Sequence, residues 1–164
     1  GMVFGFIPVP AIFLAVVALL AVFLMHSTVW GRYIYGVGGN EEAARLSGVN
    51  VARTKLFVYA AASFLAALAG LLYAAYIRQG SPSSGVAYEL NAIAAAVIGG
   101  CSLMGGEGSV LGTVLGAALL GLLINGINLV VQTNASLWEG VIVGLVVVGA
   151  VAMNLLRERK TRAT

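Results

Sequence analysis

Long apolar runs alternate with short polar stretches along the chain, and four of the runs have the length of a membrane span. Crossing a hydrocarbon core of about 30 Å takes about 20 helical residues. No charged residue interrupts these runs except Glu139, near the start of the fourth. The pattern therefore predicts membrane-spanning helices at Ala11–Trp30, Leu56–Ile77, Val110–Val131 and Leu137–Leu156.

A fifth apolar segment, Glu89–Gly100, is 12 residues long and ends in two glycines. Continued to Gly106 it has 18 residues, which as a helix would extend about 27 Å. We expect this segment to cross the membrane as a helix that is discontinuous near Gly99 and Gly100, and a re-entrant hairpin is the alternative. The predicted fold class is an all-α integral membrane protein with about five transmembrane segments, one of them short or broken. We expect residues 1–164 to form a single transmembrane domain.

Charge is scarce and unevenly placed. Hydrophobic residues make up 60% of the chain and charged residues 9%, whereas a soluble domain has about a quarter charged residues. Eight of the nine basic residues fall in two segments, which we predict to face the cytoplasm. These residues are Arg32, Arg45, Arg53, Lys55, Arg157, Arg159, Lys160 and Arg162. This orientation places the N-terminus, Arg78–Tyr88 and Gln132–Ser136 outside and Cys101–Ser109 inside.

The segment between the first two spans carries the end signals of one short helix. Asn40 is a favoured N-cap, and Glu41 and Glu42 place negative charge in the first turn. Arg45 suits the last turn, and Gly48 can adopt the left-handed conformation that ends a helix. A helix of about two turns is unstable alone in water, so membrane helices or a partner must hold it. Composition alone favours an ordinary capped connector.

Two blocks of the sequence resemble one known family. The first, Gly31–Val51, reads GRYIYGVGGNEEAARLSGVNV and resembles the cytoplasmic loop of bacterial ABC-transporter permeases of the monosaccharide, ribose-type uptake class. The second, Tyr88–Thr113, reads YELNAIAAAVIGGCSLMGGEGSVLGT and is similar to another signature of that family, with NGINLV following from Asn125. The sequence departs from the family pattern at Asn91, where an acid is commoner, and at Cys101, where a threonine is commoner. Permeases of this class are much longer, so the chain resembles only their C-terminal half.

The resemblance implies a role for the capped helix, which lies in a loop over residues 31–55. In such permeases this helix is a coupling helix that sits in a groove of the ATP-binding subunit. The residues implied at that contact are Asn40, Glu41, Glu42, Ala43, Ala44, Arg45, Leu46, Ser47 and Gly48. We expect Ala43 and Ala44 to permit close approach to the partner. We expect Glu41, Glu42 and Arg45 to make charged contacts at the rim.

The function implied is that of a permease subunit of an ATP-driven importer for a sugar-like solute in the bacterial inner membrane. Expected partners are an ATP-binding cassette subunit, a second permease subunit or half, a periplasmic or extracellular sugar-binding protein and membrane lipid. Nucleic acid is not expected, because the basic residues lie at the ends of apolar runs and form no basic face. The alternative is a structural or scaffolding membrane protein, or a passive channel with no link to an ATPase.

Catalytic and metal-binding patterns are missing from the sequence. All six acidic residues are Glu, and Cys101 and His26 are the only residues of their types. The sequence also lacks the G-x-x-x-x-G-K-[ST] pattern of an ATP-binding P-loop. We therefore expect no enzyme activity, no cofactor and no metal, with energy supplied by a partner. His26, at the inner end of the first span, is either an interfacial residue or a pH-sensitive one.

A few polar residues within the apolar segments are candidates for the solute route. They are Glu89, Asn91, Asn125 and Asn128. Asparagine offers the donors and acceptors that a sugar-like solute needs, and Asn125 and Asn128 share a helix face because they are three residues apart. Hydrogen bonds between helices that hold the bundle together are an equally good interpretation. Capping the short helix is the other expected role of Glu89.

Overall fold

The structure, a computed structural model, describes residues 2–3, 7–80, 85–86, 88–130, 140–146, 148–149 and 152. The elements in chain order are β1 (Met2–Val3), β2 (Ile7–Pro8), α1 (Val9–Ser27), α2 (Val29–Gly39), α3 (Glu41–Leu46), α4 (Val51–Ile77), α5 (Tyr88–Ile98) and α6 (Val110–Val130). The two-residue strands pair antiparallel, and the other elements are helices, which confirms the all-α class. The chain separates into two units, Gly1–Val86 and Ala87–Thr164, and each is described by itself. The single domain over residues 1–164 stays a prediction.

Among the described residues, three helices are long and apolar enough to cross a membrane: α1, α4 and α6. The predicted start of α6 at Val110 is confirmed, whereas α4 begins at Val51 instead of Leu56 because Asn50 caps it there. The fourth predicted span, Leu137–Leu156, is helical at residues 140–146, 148–149 and 152, and its other residues lie outside the described ones. The basic cluster after Leu156 also lies outside them.

The predicted end of the first span, at Trp30, is wrong. Helix α1 stops at Ser27, and Trp30 belongs to a separate helix, α2, which the apolar pattern did not predict. The loop between the two long helices of this unit therefore holds two short helices, α2 and α3, and not one.

A sharp turn at Thr28 separates α1 from α2. The Thr28 hydroxyl donates to the Leu24 carbonyl at 2.6 Å and accepts from the Gly31 backbone N–H at 3.3 Å. The chain can turn this tightly because Gly31 has no side chain: a Cβ there would overlap the carbonyl oxygen of Met25. Helix α2 is thereby fixed against the last turns of α1.

In the second unit, α5 and α6 form an antiparallel hairpin with close backbone contact. A Cβ on Gly116 would overlap the carbonyl oxygen of Ala95, and a Cβ on Gly112 would overlap that of Gly99. Small residues permit this approach between membrane helices. The core of this unit consists of Ala94, Ala95, Leu120 and Val143, with Ile98 packed against it.

Helix α5 ends at Ile98, so the predicted helix break at Gly99 and Gly100 is confirmed, whereas the crossing of the membrane by residues 89–106 stays a prediction. Gly100 has a φ of 88°, a conformation that glycine adopts without steric cost. No helix resumes before Val110, and a hydrogen bond of 3.0 Å from the Ser102 N–H to the Glu107 carbonyl closes the loop between them. The 11 residues of α5 extend only about 16 Å. They do not cross a core of about 30 Å by themselves.

Candidate functional site

Asn40 joins α2 to α3 and caps both helices. Its backbone N–H donates to the Gly36 carbonyl at 3.0 Å at the end of α2. Its side-chain oxygen accepts from the Ala43 N–H at 3.0 Å at the start of α3. The backbone of Asn40 is extended, with φ −154° and ψ 104°, so a single residue turns the chain between the two helices. The predicted N-cap is confirmed, and the same residue serves a second helix.

Helix α3 ends in a Schellman motif around Gly48. The Val49 N–H donates to the Ala44 carbonyl and the Gly48 N–H donates to the Arg45 carbonyl, both at 3.0 Å. Gly48 has a φ of 85°, which is the left-handed conformation that this motif requires. The prediction that Gly48 ends the helix is therefore confirmed.

The turn from α3 into α4 is short and bonded at both ends. The Ser47 hydroxyl donates to the Ala43 carbonyl at 2.9 Å. Three residues later, the Asn50 side-chain oxygen accepts from the Arg53 N–H at 3.0 Å, and the Asn50 carbonyl accepts from the Thr54 hydroxyl at 3.1 Å. The direction of α3 relative to α4 is thus fixed by a short, hydrogen-bonded connection.

Helix α3 buries one side and exposes the opposite one. Ala44 is buried, as are Val51 and Thr54 at the start of α4. Leu46 comes two positions after Ala44, about 200° round the helix, and is 85% exposed. Glu42 comes two positions before Ala44 and is also exposed. Of the two alanines expected to admit a partner, only Ala43 is exposed, because Ala44 faces the helices of its own chain.

Glu41 lies at the centre of the charges of this site. Its Oε2 is 2.5 Å from Lys55 Nζ, and its Oε1 is 3.6 Å from Arg45 Nη2. The hydrogen bond from Lys55 is the main reason why the pKa of the Glu41 carboxyl lies below its ordinary value, the charges of Lys55 and Arg45 add to this, and desolvation opposes it. Sequence reasoning missed Lys55 as a member of this site, because no local pattern relates two residues 14 positions apart.

The four candidates for the solute route lie at the open end of the α5–α6 hairpin but not on one surface. Asn91 is half-buried and comes four residues before Ala95, so it lies on the side of α5 that faces α6. Glu89, in the first turn of α5, is exposed. Asn125 comes nine positions after Gly116, about two and a half turns, and therefore points away from α5. Asn125 and Asn128 are both exposed.

An apolar groove of about 500 Å³ lies between the N-terminal half of α1 and the C-terminal half of α4. On each helix the lining residues are spaced three and four apart, so each helix contributes one face. Sequence reasoning did not identify the groove, because its two walls lie far apart in the chain. The groove is lined by Pro10, Phe13, Leu14, Val17, Leu65, Leu68, Ala69, Leu72, Tyr73 and Tyr76.

The two residues that occur once have different surroundings. Cys101 is half-buried, with its Sγ 3.3 Å from the Thr113 hydroxyl oxygen. His26 lies in the last turn of α1. Within the part of the chain that the structure describes, no three or more His, Cys, Asp or Glu side chains come together as a group able to hold a metal ion.

Apolar helices of spanning length, joined by short capped helices, define a multi-pass membrane protein. A family model described as branched-chain amino acid transport system / permease component matches residues 2–151. The chain belongs to this family. Because the family and the relatives below are transport permeases, the prediction that the chain is not an enzyme is confirmed.

Curated relatives of the chain are sugar permeases. The ribose import permease protein of Haemophilus influenzae is 46% identical over 161 residues, which are 98% of this chain and 49% of that protein. The xylose transport system permease protein of the same organism is 44% identical over 154 residues, covering 94% of this chain and 40% of that protein. The ribose import permease protein of Bacillus subtilis is 42% identical over 148 residues, covering 90% of this chain and 45% of that protein. No solved structure matches the chain.

These comparisons confirm the resemblance to ribose-type permeases and the assignment to the bacterial inner membrane as a multi-pass protein. The chain spans about half the length of the curated relatives it matches, 49% for the ribose permease of Haemophilus influenzae. The ATPase contact at α3 and the solute contacts at Glu89, Asn91, Asn125 and Asn128 stay predictions.

Proposed function

We propose that this chain is a transmembrane permease subunit of an ATP-driven importer for a sugar-like solute. Its family and the ribose and xylose permeases among its relatives support the solute class. Since those relatives are about twice as long, the chain acts together with a second permease subunit or half. A periplasmic or extracellular sugar-binding protein delivers the solute, and an ATP-binding cassette subunit supplies the energy.

The exposed side of α3 is the observation that carries the coupling role. Leu46 is 85% exposed. It lies on a helix that is fixed at its start by the Asn40 cap and at its end by the turn at Gly48. Burying a leucine side chain contributes about 1.5–3 kcal/mol, and an apolar anchor ringed by charged residues is typical of protein interfaces. We assign the contact with the ATP-binding subunit to Leu46, with Glu42, Ala43 and Arg45 around it.

Transport in this scheme needs no covalent step in the chain. Closure of the ATP-binding subunits displaces α3, and α3 transmits the movement to the spanning helices as a small rigid lever. The spanning helices then expose the solute route to one side of the membrane and afterwards to the other.

Replacement of Leu46 tests the coupling role. Leu46→Glu places a charge where the apolar anchor docks, so we expect at least a tenfold loss of the ATP-binding subunit on co-purification, together with loss of uptake. Leu103→Glu is the matched control, because Leu103 is a 55% exposed leucine in the loop before α6, which is predicted to face the same side. Retention of the ATP-binding subunit by Leu46→Glu would contradict the assignment. Solute flux that needs no nucleotide would support a passive channel instead.

We assign solute contacts to Asn125 and Asn128 on α6, and to Asn91 and Glu89 on α5. Loss of one hydrogen bond costs about 1 kcal/mol, so Asn125→Ala and Asn128→Ala should each raise the KM for uptake about fivefold. ATPase activity without solute should not change. Leu129→Ala is the control on the same turn, since Leu129 is exposed and apolar. An unchanged KM in both asparagine variants would remove them from the solute route.

A further inference from the structure

We infer that Glu41 and Lys55 form a strut that fixes the first turn of α3 to α4, so that movement of α3 is delivered to α4. Glu41 is then a positioning residue and not a contact for the ATP-binding subunit. This inference rests on the proposed coupling role of α3 and adds the path by which the movement enters the membrane.

The strut joins α3 to α4 at a point that the backbone connection between them does not reach. The backbone connection from α3 to α4, residues 47–50, leaves the C-terminal end of α3. The contact between Glu41 Oε2 and Lys55 Nζ, at 2.5 Å, holds the opposite end of α3. A helix joined to α4 only at its last turn can pivot about that turn relative to α4, even though Asn40 joins its first turn to α2. With a second attachment at its first turn, α3 follows α4.

The charges on α3 distinguish a residue that contacts its own chain from residues that are exposed to a partner. Both carboxylate oxygens of Glu41 already face cations of the same chain, Lys55 on one side and Arg45 on the other. Leu46 and Glu42 lie on the exposed side and are available to a partner. The sequence-based expectation that Glu41 contacts the rim of the partner's groove therefore gives way to an internal role.

Exposure to solvent limits how much the strut contributes to the coupling of ATP hydrolysis to transport. The side chains of Glu41 and Lys55 are 44% and 48% exposed, and exposed ion pairs are weakened by water and salt. Loss of the strut should therefore lower the yield of transport per ATP by a modest factor, about two- to fivefold. Assembly with the ATP-binding subunit should not change.

The test measures solute uptake and ATP hydrolysis in the same vesicles with the complete transporter. Glu41→Gln and Lys55→Gln should each lower the solute taken up per ATP about two- to fivefold. The exchanged pair, Glu41→Lys with Lys55→Glu, should restore at least half of the original ratio. Arg53→Gln is the matched control, because it removes a basic residue from the same end of α4 without breaking the pair.

The outcomes distinguish the strut from the coupling role itself. An unchanged ratio in Glu41→Gln and Lys55→Gln, while Leu46→Glu still releases the ATP-binding subunit, would overturn the strut and leave the proposed function intact. Release of the ATP-binding subunit by Glu41→Gln would show that Glu41 is a direct contact, which also overturns the strut. Retention of that subunit by Leu46→Glu would contradict the proposed function instead.

Discussion

The indole of Trp30 stacks on the ring of Phe57, with 4.8 Å between ring centroids and 29° between ring planes. Trp30 lies in the first turn of α2 and Phe57 in the second turn of α4, so the stack fastens α2 to a spanning helix. Tyr33 meets Trp30 edge-on at 6.5 Å. The loop that carries α3 is therefore attached to α4 through α2 as well as through its own turn.

Removal of the stacked ring should loosen this attachment. An aromatic pair contributes about 0.5–1.5 kcal/mol beyond its buried area, so Phe57→Ala should lower the free energy of unfolding in detergent micelles by about 2 kcal/mol in total. Tyr59→Ala removes an aromatic ring from the same stretch of α4 at a side chain that is 71% exposed. A loss in Tyr59→Ala as large as that in Phe57→Ala would show that the stack contributes nothing specific.

The glycines of α6 should differ sharply in their tolerance of a methyl group. In Gly116→Ala the added Cβ meets the Ala95 carbonyl, so the two helices must separate, at a cost of about 3 kcal/mol of unfolding free energy. In Gly121→Ala the Cβ enters open space, and the variant should be as stable as the original chain or more stable by about 0.5 kcal/mol. Thermal unfolding of the purified chain compares them, and equal midpoints would contradict the close approach.

The ends of α3 could be predicted from the sequence because caps act over a few residues. Asn40 bonds to an amide three positions along the chain, and Gly48 closes bonds within the last turn. The break after Ile98 was predicted for the same reason, since two consecutive glycines interrupt a helix locally. Signals of this kind need no knowledge of the rest of the fold.

Helix α2 could not be predicted, because contacts with other helices stabilise it. Four of its 11 residues are glycines, which disfavour a helix by about 1 kcal/mol each. What holds it is the approach of Gly31 to Met25 and the stacking of Trp30 on Phe57. Neither contact produces a periodic pattern in the sequence. The pairing of Glu41 with Lys55 produces none either.

The cap at Asn40 gives a prediction about local stability. Asn40→Ala removes the acceptor for the Ala43 amide, which should cost α3 about 1 kcal/mol. Exchange of the Ala43 amide with deuterated solvent should then accelerate about fivefold if it proceeds through opening of α3. Asn40→Ser keeps an acceptor and should exchange nearly as slowly as the original chain. Equal exchange in all three proteins would contradict the cap.

The pairing of Glu41 predicts a defined pH dependence. The pKa of Glu41 is lowered in the folded chain, chiefly by the hydrogen bond from Lys55. The contribution of the pair to stability is therefore present above the unfolded-state pKa and is lost as the pH falls through the lower folded-state pKa. In a titration of the Glu41 carboxyl carbon by NMR, the midpoint should lie lower in the original chain than in Lys55→Gln. Identical midpoints would show that the pair does not form in solution.

The orientation of α3 relative to the membrane can be tested by cysteine labelling. Eight of nine basic residues lie in two segments predicted to face the cytoplasm, and Arg45 is among them. A Cys101→Ser background removes the only native thiol. Arg45→Cys, at a position whose side chain is 71% exposed, should react with a membrane-impermeant maleimide in inside-out vesicles and not in intact spheroplasts.

Gly80→Cys provides the opposite control for this labelling. Gly80 follows the C-terminal end of α4, is exposed and lies in the segment predicted to face outward, so it should react in spheroplasts and not in inside-out vesicles. Because α4 is one continuous helix between the two positions, they must lie on opposite sides if α4 spans the membrane. Labelling of Arg45→Cys from outside would place α3 beyond the reach of a cytoplasmic ATP-binding subunit. The lever, the strut and the coupling role would then all be excluded together.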